Sequence, residues 1–408
     1  MNPHDRRKPR LWAALDFNII ATRVCRYVSE CRIWLWFGCI VGGASLTAHA
    51  QQVIKVYLQG GQSNAGSPAA TNGLPANLLA PQQDVAYYYY FPTGPVNGYG
   101  TPGLLTTLRP TVWELNNGDH FGPELAFGRV LADYYALTNH VPVTNVMVAI
   151  IKYAHGGTTL YQDWAAGGDS LTNNDGPDYI TFQSVVSAGL AHLAAAYPGA
   201  TLELDGLIWV QGESDIAPPV PNPAAAIAYG TNLTRFIKDV RLTFAAYYPY
   251  GTNLPFFFSR ISTNQTAYSN PSGLNYPNYL SVRAGQAAVA ATVPNAFMID
   301  TDDAQFTVRS SDQIHFDTDG QLALGGAFAK TLIGVLPRPQ IQPPVKSGNG
   351  WRVTFIGISG LNYSLERTTS LLDAWTTLTN LVVGSPGIIN LDDYDPAEGG
   401  AFYRVSHP

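Results

Sequence analysis

Cysteine is almost absent from this 408-residue chain: Cys25, Cys31 and Cys39 are its three, and none follows. Beyond residue 39 that excludes disulfide cross-links, thiol nucleophiles and cysteine-based metal clusters. Histidine and the acidic residues also fail to group at metal-ligand spacings, so no metal is expected. Charged residues make up only 13%, low for a cytosolic enzyme. Seven of the 23 basic and three of the 29 acidic residues lie in the first fifty; the remaining 16 and 26 give a net charge of −10. An acidic chain without basic runs excludes nucleic acid and anionic membrane surfaces as partners. Methionine is as scarce as cysteine, while tyrosine occurs 23 times. That balance suits an exported protein with polar, aromatic surfaces.

The first fifty residues differ in kind. Arg6, Arg7, Lys8, Arg10, Arg23, Arg26 and Arg32 precede the apolar run Ile33–Val41, and small residues then lead to Ala48-His49-Ala50. Basic region, short apolar run and A-x-A site read as a secretory signal over residues 1–50, with an extracellular or periplasmic product after cleavage. The run is far short of the ~20 residues a spanning helix needs, so no stable membrane anchor is expected.

From Val53 to about Val335, strand-like apolar runs alternate with helical patterns. The strands are Val53–Gln59, Val85–Tyr90, Val146–Tyr153, Leu204–Val210, Phe256–Ile261 and Ala296–Ile299. The helices are Glu124–Tyr135, Phe182–Tyr197, Ala224–Phe244, Tyr279–Ala291 and Asp319–Leu332. Such alternation implies a parallel sheet covered on both faces, with ligands bound beyond the carboxyl ends of the strands. Apart from Val85–Tyr90, Ala65–Asn117 reads as irregular and as a rim of the cleft; Ala217–Pro223 is a second irregular stretch. The chain divides into a signal at 1–50, an α/β domain at 51–336, a proline-rich linker at 337–349 and a small all-β module at 350–408.

Chemistry concentrates just after the strands. In VIKVYLQGGQSNAG, Ser63 follows a buried strand and a glycine turn, and a helix starting there would offer free N–H groups to an oxyanion. An N-cap role for Ser63 fits the same segment. The G-x-S-x-G elbow is not met, because Ala65 holds its last position. Phe121-Gly122-Pro123-Glu124 opens a helix with Gly122 N–H as a candidate donor. Ala154-His155-Gly156-Gly157-Thr158 is expected at the pocket floor, with His155 and His120 as rival bases. Trp209-Val210-Gln211-Gly212-Glu213-Ser214-Asp215 leaves polar groups at the end of an apolar strand, Gln211 among them as a donor. In Asp312-Gln313-Ile314-His315 a carboxylate three residues before an imidazole can curl back to hold Nδ1–H and leave Nε2 as a base.

Together GGQSNAG at 60–66, FGPE at 121–124, WVQGESD at 209–215 and DQIHF at 312–316 resemble, in order and spacing, the SGNH-type hydrolases, and within them the sialate O-acetylesterase-like, carbohydrate esterase family 6-like group. The resemblance covers about residues 53–335. It implies a three-layer, flavodoxin-like α/β fold and a serine esterase without a cofactor, acting on acetylated carbohydrate such as a xylan-type polysaccharide or sialic acid. By position Ser63 is then the nucleophile and His315 the base, with Asp312 as its acid partner and Glu213 able to share or replace that role. Ser63 N–H, Gly122 N–H and the Gln211 side chain form the oxyanion hole, while Gln62, Asn64, Gly156 and Gly157 line the substrate pocket. A glycan-binding protein without turnover, or an esterase for another ester, are the competing readings.

Overall fold

The computed structural model describes residues 52–406 apart from 91–102, 114–115, 139–145, 219–221, 250, 336–342, 358–361, 371–372, 383–386 and 397–399. The signal-like segment 1–50 and residues 337–342 of the expected linker thus lie outside the described residues.

Among the described residues the central sheet has seven strands: β1 Val53–Gly61, β2 Gln82–Tyr90, β3 Thr106–Leu108, β4 Val146–Ala154, β5 Thr201–Val210, β6 Phe256–Ser259 and β7 Ala296–Ile299. Their order is β7-β6-β5-β1-β4-β2-β3, parallel except for the antiparallel edge pair β2–β3. The long helices are α1 Glu124–Thr138, α2 Pro177–Ala196, α3 Pro223–Thr243, α4 Tyr276–Thr292 and α5 Thr318–Val335. Strand side chains alternate between faces, so β1 divides its apolar residues. Ile54, Val56 and Leu58 pack with Phe182 of α2, Tyr229 of α3 and Val282 of α4. Tyr57 packs on the opposite face with Leu125 and Phe127 of α1 and Leu324 and Phe328 of α5. The result is the expected three-layer α/β sandwich.

Topology places the cleft. From β4 on one side of β1 the chain crosses to β5 on the other, making the carboxyl end of β1 the switch point where such sheets open a crevice. Register sets Gly61 opposite both Ala154 and Val210, so the segments after these three strands emerge side by side. Gly61 has φ +136°, and a Cβ there would lie 2.1 Å from the Val210 carbonyl oxygen. Only glycine permits this close approach.

Three expectations need correction. No α-helix follows Ser63: residues 62–66 form a turn closed by Gly66 N–H donating to Gln62 O and Ser63 O, both at 3.0 Å, and Pro68 prevents its extension. The stretch 65–117 is not simply irregular, because Ala69–Ala70, Thr111–Trp113 and Asn116–Phe121 make a small antiparallel sheet that carries the chain into α1. Finally, Val345–Ser347 falls in the expected linker yet is a strand, turned back by Gly348 (φ +60°) to pair with Gly350–Gly357. With Gly387–Asp393 this makes one antiparallel sheet of the C-terminal module; Thr376–Val382, Asn362–Thr368 and Phe402–Ser406 make the other. Val353, Phe355, Tyr363, Leu365 and Val405 form its core.

Candidate active site

Ser63 and His315, far apart in sequence, meet at the switch point. Ser63 Oγ lies 2.9 Å from His315 Nε2, and His315 Nδ1 lies 3.0 Å from Asp312 Oδ2. The second contact follows from local chain geometry. Asp312 Oδ1 accepts the N–H groups of Ile314 and His315, each at 2.9 Å, in the turn an aspartate makes with its own backbone. Gln313 takes a left-handed φ of +58°, and Arg309 and His315 close the loop by an N–H···O bond of 2.8 Å. Burial acts to raise the Asp312 pKa, but the two backbone donors and the His315 imidazole outweigh it and hold the carboxyl below its usual range. Arg309 adds an ion pair at 3.1 Å. An anionic carboxylate on Nδ1 sets the tautomer with a proton there, leaving Nε2 as the acceptor facing the serine hydroxyl.

The neighbours of Ser63 turn inward. Asn64 is fully buried: its Oδ1 accepts Phe316 N–H at 3.0 Å, and its Nδ2 donates to Glu213 Oε1 at 2.6 Å and to Ile314 O at 3.2 Å. Gln265 Nε2 donates to the same two acceptors at 3.0 and 2.8 Å. Gln62 Oε1 accepts N–H from Gly212 and Ser214 at 3.3 and 3.1 Å. Asn64 and Gln62, expected in the pocket wall, are buried clamps that tie the serine turn to the histidine loop and to the turn after β5. Glu213 is likewise corrected: its carboxylate holds Asn64 and Gln265, while Asp312 holds the imidazole.

Two expected oxyanion donors are committed elsewhere. Gly122 N–H donates to Glu124 Oε1 at 3.0 Å, because the first-turn carboxylate of α1 curls back over its own helix start. A Cβ at Gly122 would lie 2.0 Å from Gly66 O, so this glycine sets the packing against the serine turn. Gln211 Nε2 donates to Asp215 Oδ2 at 2.6 Å and Thr158 O at 3.1 Å, which uses both of its protons. Ser63 N–H, the third, donates to no acceptor among the described residues.

The sequence from residue 53 to residue 334 matches the family described as carbohydrate esterase, sialic acid-specific acetylesterase. The chain belongs to this family. The protein is therefore a carboxylic ester hydrolase of the carbohydrate acetylesterase class. No curated protein sequence matches it. Among solved structures, a carbohydrate acetylesterase from Xanthomonas citri is 15% identical, covering 86% of this chain and 74% of its own, with a TM-score of 0.43. NanS is 14% identical, covering 70% of this chain and 98% of its own, with a TM-score of 0.46.

Beneath the serine turn of the esterase lies a polar cluster that the sequence reading missed. Lys152 Nζ and Glu124 Oε2 are 2.8 Å apart and both side chains are fully buried. Lys152 also donates to Gly66 O at 2.6 Å; Gln59 Nε2 donates to Ala65 O at 2.7 Å and Glu124 Oε2 at 3.1 Å. A lysine inside VMVAIIKYA and a glutamine inside VIKVYLQGG were the available signals, since a polar group in a buried strand needs a buried partner. No group of residues able to hold a metal ion occurs among the described residues.

A cavity of about 420 Å³ opens beside the serine turn, lined by His155, Gly156 and Gly157 among others, but not by Ser63, Asp312 or His315. His155 Nδ1 is 2.8 Å from Asp178 Oδ1, so its carboxylate partner comes from α2, 23 residues on. The cavity loop is pinned by Asp215, which accepts N–H from Leu160 at 2.8 Å and Tyr161 at 3.0 Å.

Two predictions arise here. Asp312→Asn should lower kcat by about 10³–10⁴-fold, because an amide favours the wrong imidazole tautomer. Glu213→Gln keeps an acceptor for Asn64 and Gln265 and should stay within about tenfold of the parent. Steady-state kinetics on an acetyl ester compares them, and an equal loss in both variants would return Glu213 to the role of acid partner. The second concerns pH. Burial pushes the Asp215 carboxyl up to about 7, against the opposing pull of Gln211, Leu160 and Tyr161, from an ordinary 3.8. A raised carboxyl keeps its proton in the folded state after the unfolded chain has lost it. Its contribution is thus whole below 3.8 and lost as pH rises through about 7. Asp215→Asn should gain stability relative to the parent by ~2–3 kcal/mol between about pH 5 and about pH 8. Denaturant titrations at the two pH values read this; a constant difference would mean that Asp215 is ionised throughout.

Proposed function

We propose that the protein is a secreted serine esterase that removes O-acetyl groups from carbohydrates through an acetyl-enzyme intermediate. The observation that carries this reading is the continuous contact chain Asp312–His315–Ser63, at 3.0 and 2.9 Å, at the switch point of the sheet. In it His315 Nε2 takes the hydroxyl proton as Ser63 Oγ attacks the acetyl carbonyl, and Asp312 stabilises the imidazolium that forms. Ser63 N–H donates to the tetrahedral oxyanion. Collapse breaks the bond to the sugar oxygen, which leaves with the proton from His315. A water then gives its proton to His315 and attacks the acetyl-enzyme, releasing acetate and restoring Ser63. Export is supported by the basic, apolar and A-x-A pattern of residues 1–50.

Acetate release by the purified protein from 4-nitrophenyl acetate, acetylated xylan and O-acetylated sialic acid tests the reading. Release from at least one acetylated carbohydrate is expected. A folded protein that binds such glycans and releases nothing would be a glycan-binding protein on the same fold, and release from 4-nitrophenyl acetate alone would point to another natural ester.

A further inference from the structure

The imidazole loop is held from behind by a segment that belongs to none of the motifs marking the site. That segment follows β6, and its Gln265 is 1% exposed. Both Nε2 protons of Gln265 are used, on Glu213 Oε1 at 3.0 Å and Ile314 O at 2.8 Å. Its Oε1 accepts Ser262 N–H at 2.9 Å. Asn64, from the serine turn, donates to the same two acceptors at 2.6 and 3.2 Å. The distances divide the work: Asn64 is the nearer donor to Glu213, and Gln265 the nearer donor to Ile314 O. Glu213 Oε2 has no hydrogen-bond partner among the described residues, so the two amides hold this carboxylate through one oxygen. A carboxylate that only accepts also fixes which way both amides point.

The carbonyl they share belongs to the peptide unit that carries His315. The N–H of that unit donates to Asp312 Oδ1 at 2.9 Å. A peptide unit is planar, so a hold on its C=O and another on its N–H fix the plane from which the imidazole projects. The residue before the plane needs such support. Gln313 has φ +58°, a left-handed backbone that a residue other than glycine keeps only where its surroundings impose it. Thr266, next to Gln265, donates its hydroxyl to Gln313 Oε1 at 2.7 Å. One short segment thus grips the histidine loop at two successive residues. The contact it protects is the 2.9 Å approach of His315 Nε2 to Ser63 Oγ. A displacement of about 1 Å at such a contact can cost ~10²-fold in rate.

We infer that Gln265 is a positioning residue for His315, acting through the Ile314 carbonyl and anchored on Glu213. The inference rests on the esterase reading, because it gives Gln265 a part in that reaction. Gln265 is buried and does not line the cavity beside the serine turn, so its effect belongs in kcat rather than in KM.

The test compares the full protein with Gln265→Met and with the exchanged pair Glu213→Gln/Gln265→Glu. Met fills the space without a donor. The exchanged pair keeps one amide and one carboxylate in contact and keeps an acceptor for Ser262 N–H, but gives Ile314 O no donor from position 265. Kinetics on 4-nitrophenyl acetate, urea midpoints and the downfield proton resonance of His315 Nδ1–H are read for each. In Gln265→Met kcat should fall by ~10²-fold with KM within about twofold, and the resonance should broaden or vanish. The exchanged pair should recover part of the lost stability while kcat stays within about threefold of Gln265→Met. A kcat for Gln265→Met within about threefold of the parent, or a change confined to KM, would overturn the inference. So would an exchanged pair whose kcat returns together with its stability, the mark of a merely structural role. Should Gln265→Met not fold, the exchanged pair decides alone, and parental kcat in it overturns the inference. A parent without turnover would remove the esterase reading instead. The resonance then judges the clamp: broadening in Gln265→Met upholds it, and an unchanged signal overturns it.

Discussion

Ser63→Ala should abolish acetyl-ester hydrolysis, with kcat/KM falling by ~10⁴-fold or more, while the protein remains folded. The hydroxyl contributes one hydrogen bond, to His315 Nε2, and it lies in the cleft rather than in the core. Its loss therefore removes the attacking atom and little packing. The serine turn itself is held by other groups: Asn64 and Gln62 side chains, Lys152 at Gly66 O and Gln59 at Ala65 O. Groups that act as one unit are not additive in their removal. Ser63→Ala/His315→Ala should accordingly be no slower than Ser63→Ala alone. Progress curves on 4-nitrophenyl acetate with matched circular dichroism measure both statements. A single variant that keeps a tenth or more of the parent rate would take Ser63 out of the reaction.

Lys152→Met should produce the largest loss of stability, ~3–5 kcal/mol, with activity falling in the protein that still folds. Lys152 and Glu124 are fully buried, and burial acts to lower the lysine pKa while the glutamate acts to raise it again. Removing the ammonium leaves Glu124 without its counter-charge at a fully buried position, and it takes the donor from the Gly66 carbonyl at the end of the serine turn. The glutamate cannot swing away, because its other oxygen holds Gly122 N–H at the start of α1. Glu124→Gln in the Lys152→Met background removes the orphaned charge and keeps an acceptor for Gly122. The double variant should recover part of the stability lost by the single one. Urea unfolding midpoints of the parent, the single and the double variant test this. A double variant less stable than Lys152→Met would show that charge is not what the pair supplies.

How much of this site could be read in the sequence depended on whether the geometry was local. The serine is placed by a strand end and a glycine turn, and Asp312 reaches His315 within a single loop, so both were legible from short segments. The alternation of apolar runs and helical patterns gave the layers for the same reason, since β and α periods are local. What the neighbours of Ser63 do was not legible. The family resemblance put Gln62 and Asn64 at the substrate pocket, but a tight turn sends successive side chains in different directions, and these two point into the protein. Gly122 and Gln211 failed as donors through contacts with Glu124 and Asp215 that close only on folding. The Lys152–Glu124–Gln59 cluster brings together β4, α1 and β1, and no one-dimensional spacing announces it.

The C-terminal module fits the same division. Its alternating short strands were readable, whereas the first of them, Val345–Ser347, lay hidden in a proline-rich stretch because a three-residue edge strand carries almost no periodic signal.

Covalent chemistry at Ser63 leaves a mass-spectrometric signature during turnover. The protein is mixed with an excess of acetyl ester, quenched in acid during turnover, digested and mapped by mass spectrometry. An acetyl group is expected on the peptide carrying Ser63, assigned to that side chain by fragmentation and absent from Ser63→Ala. Turnover with Ser63 unmodified throughout, or an acetyl group on another residue that Ser63→Ala still forms at the parent rate, would contradict it.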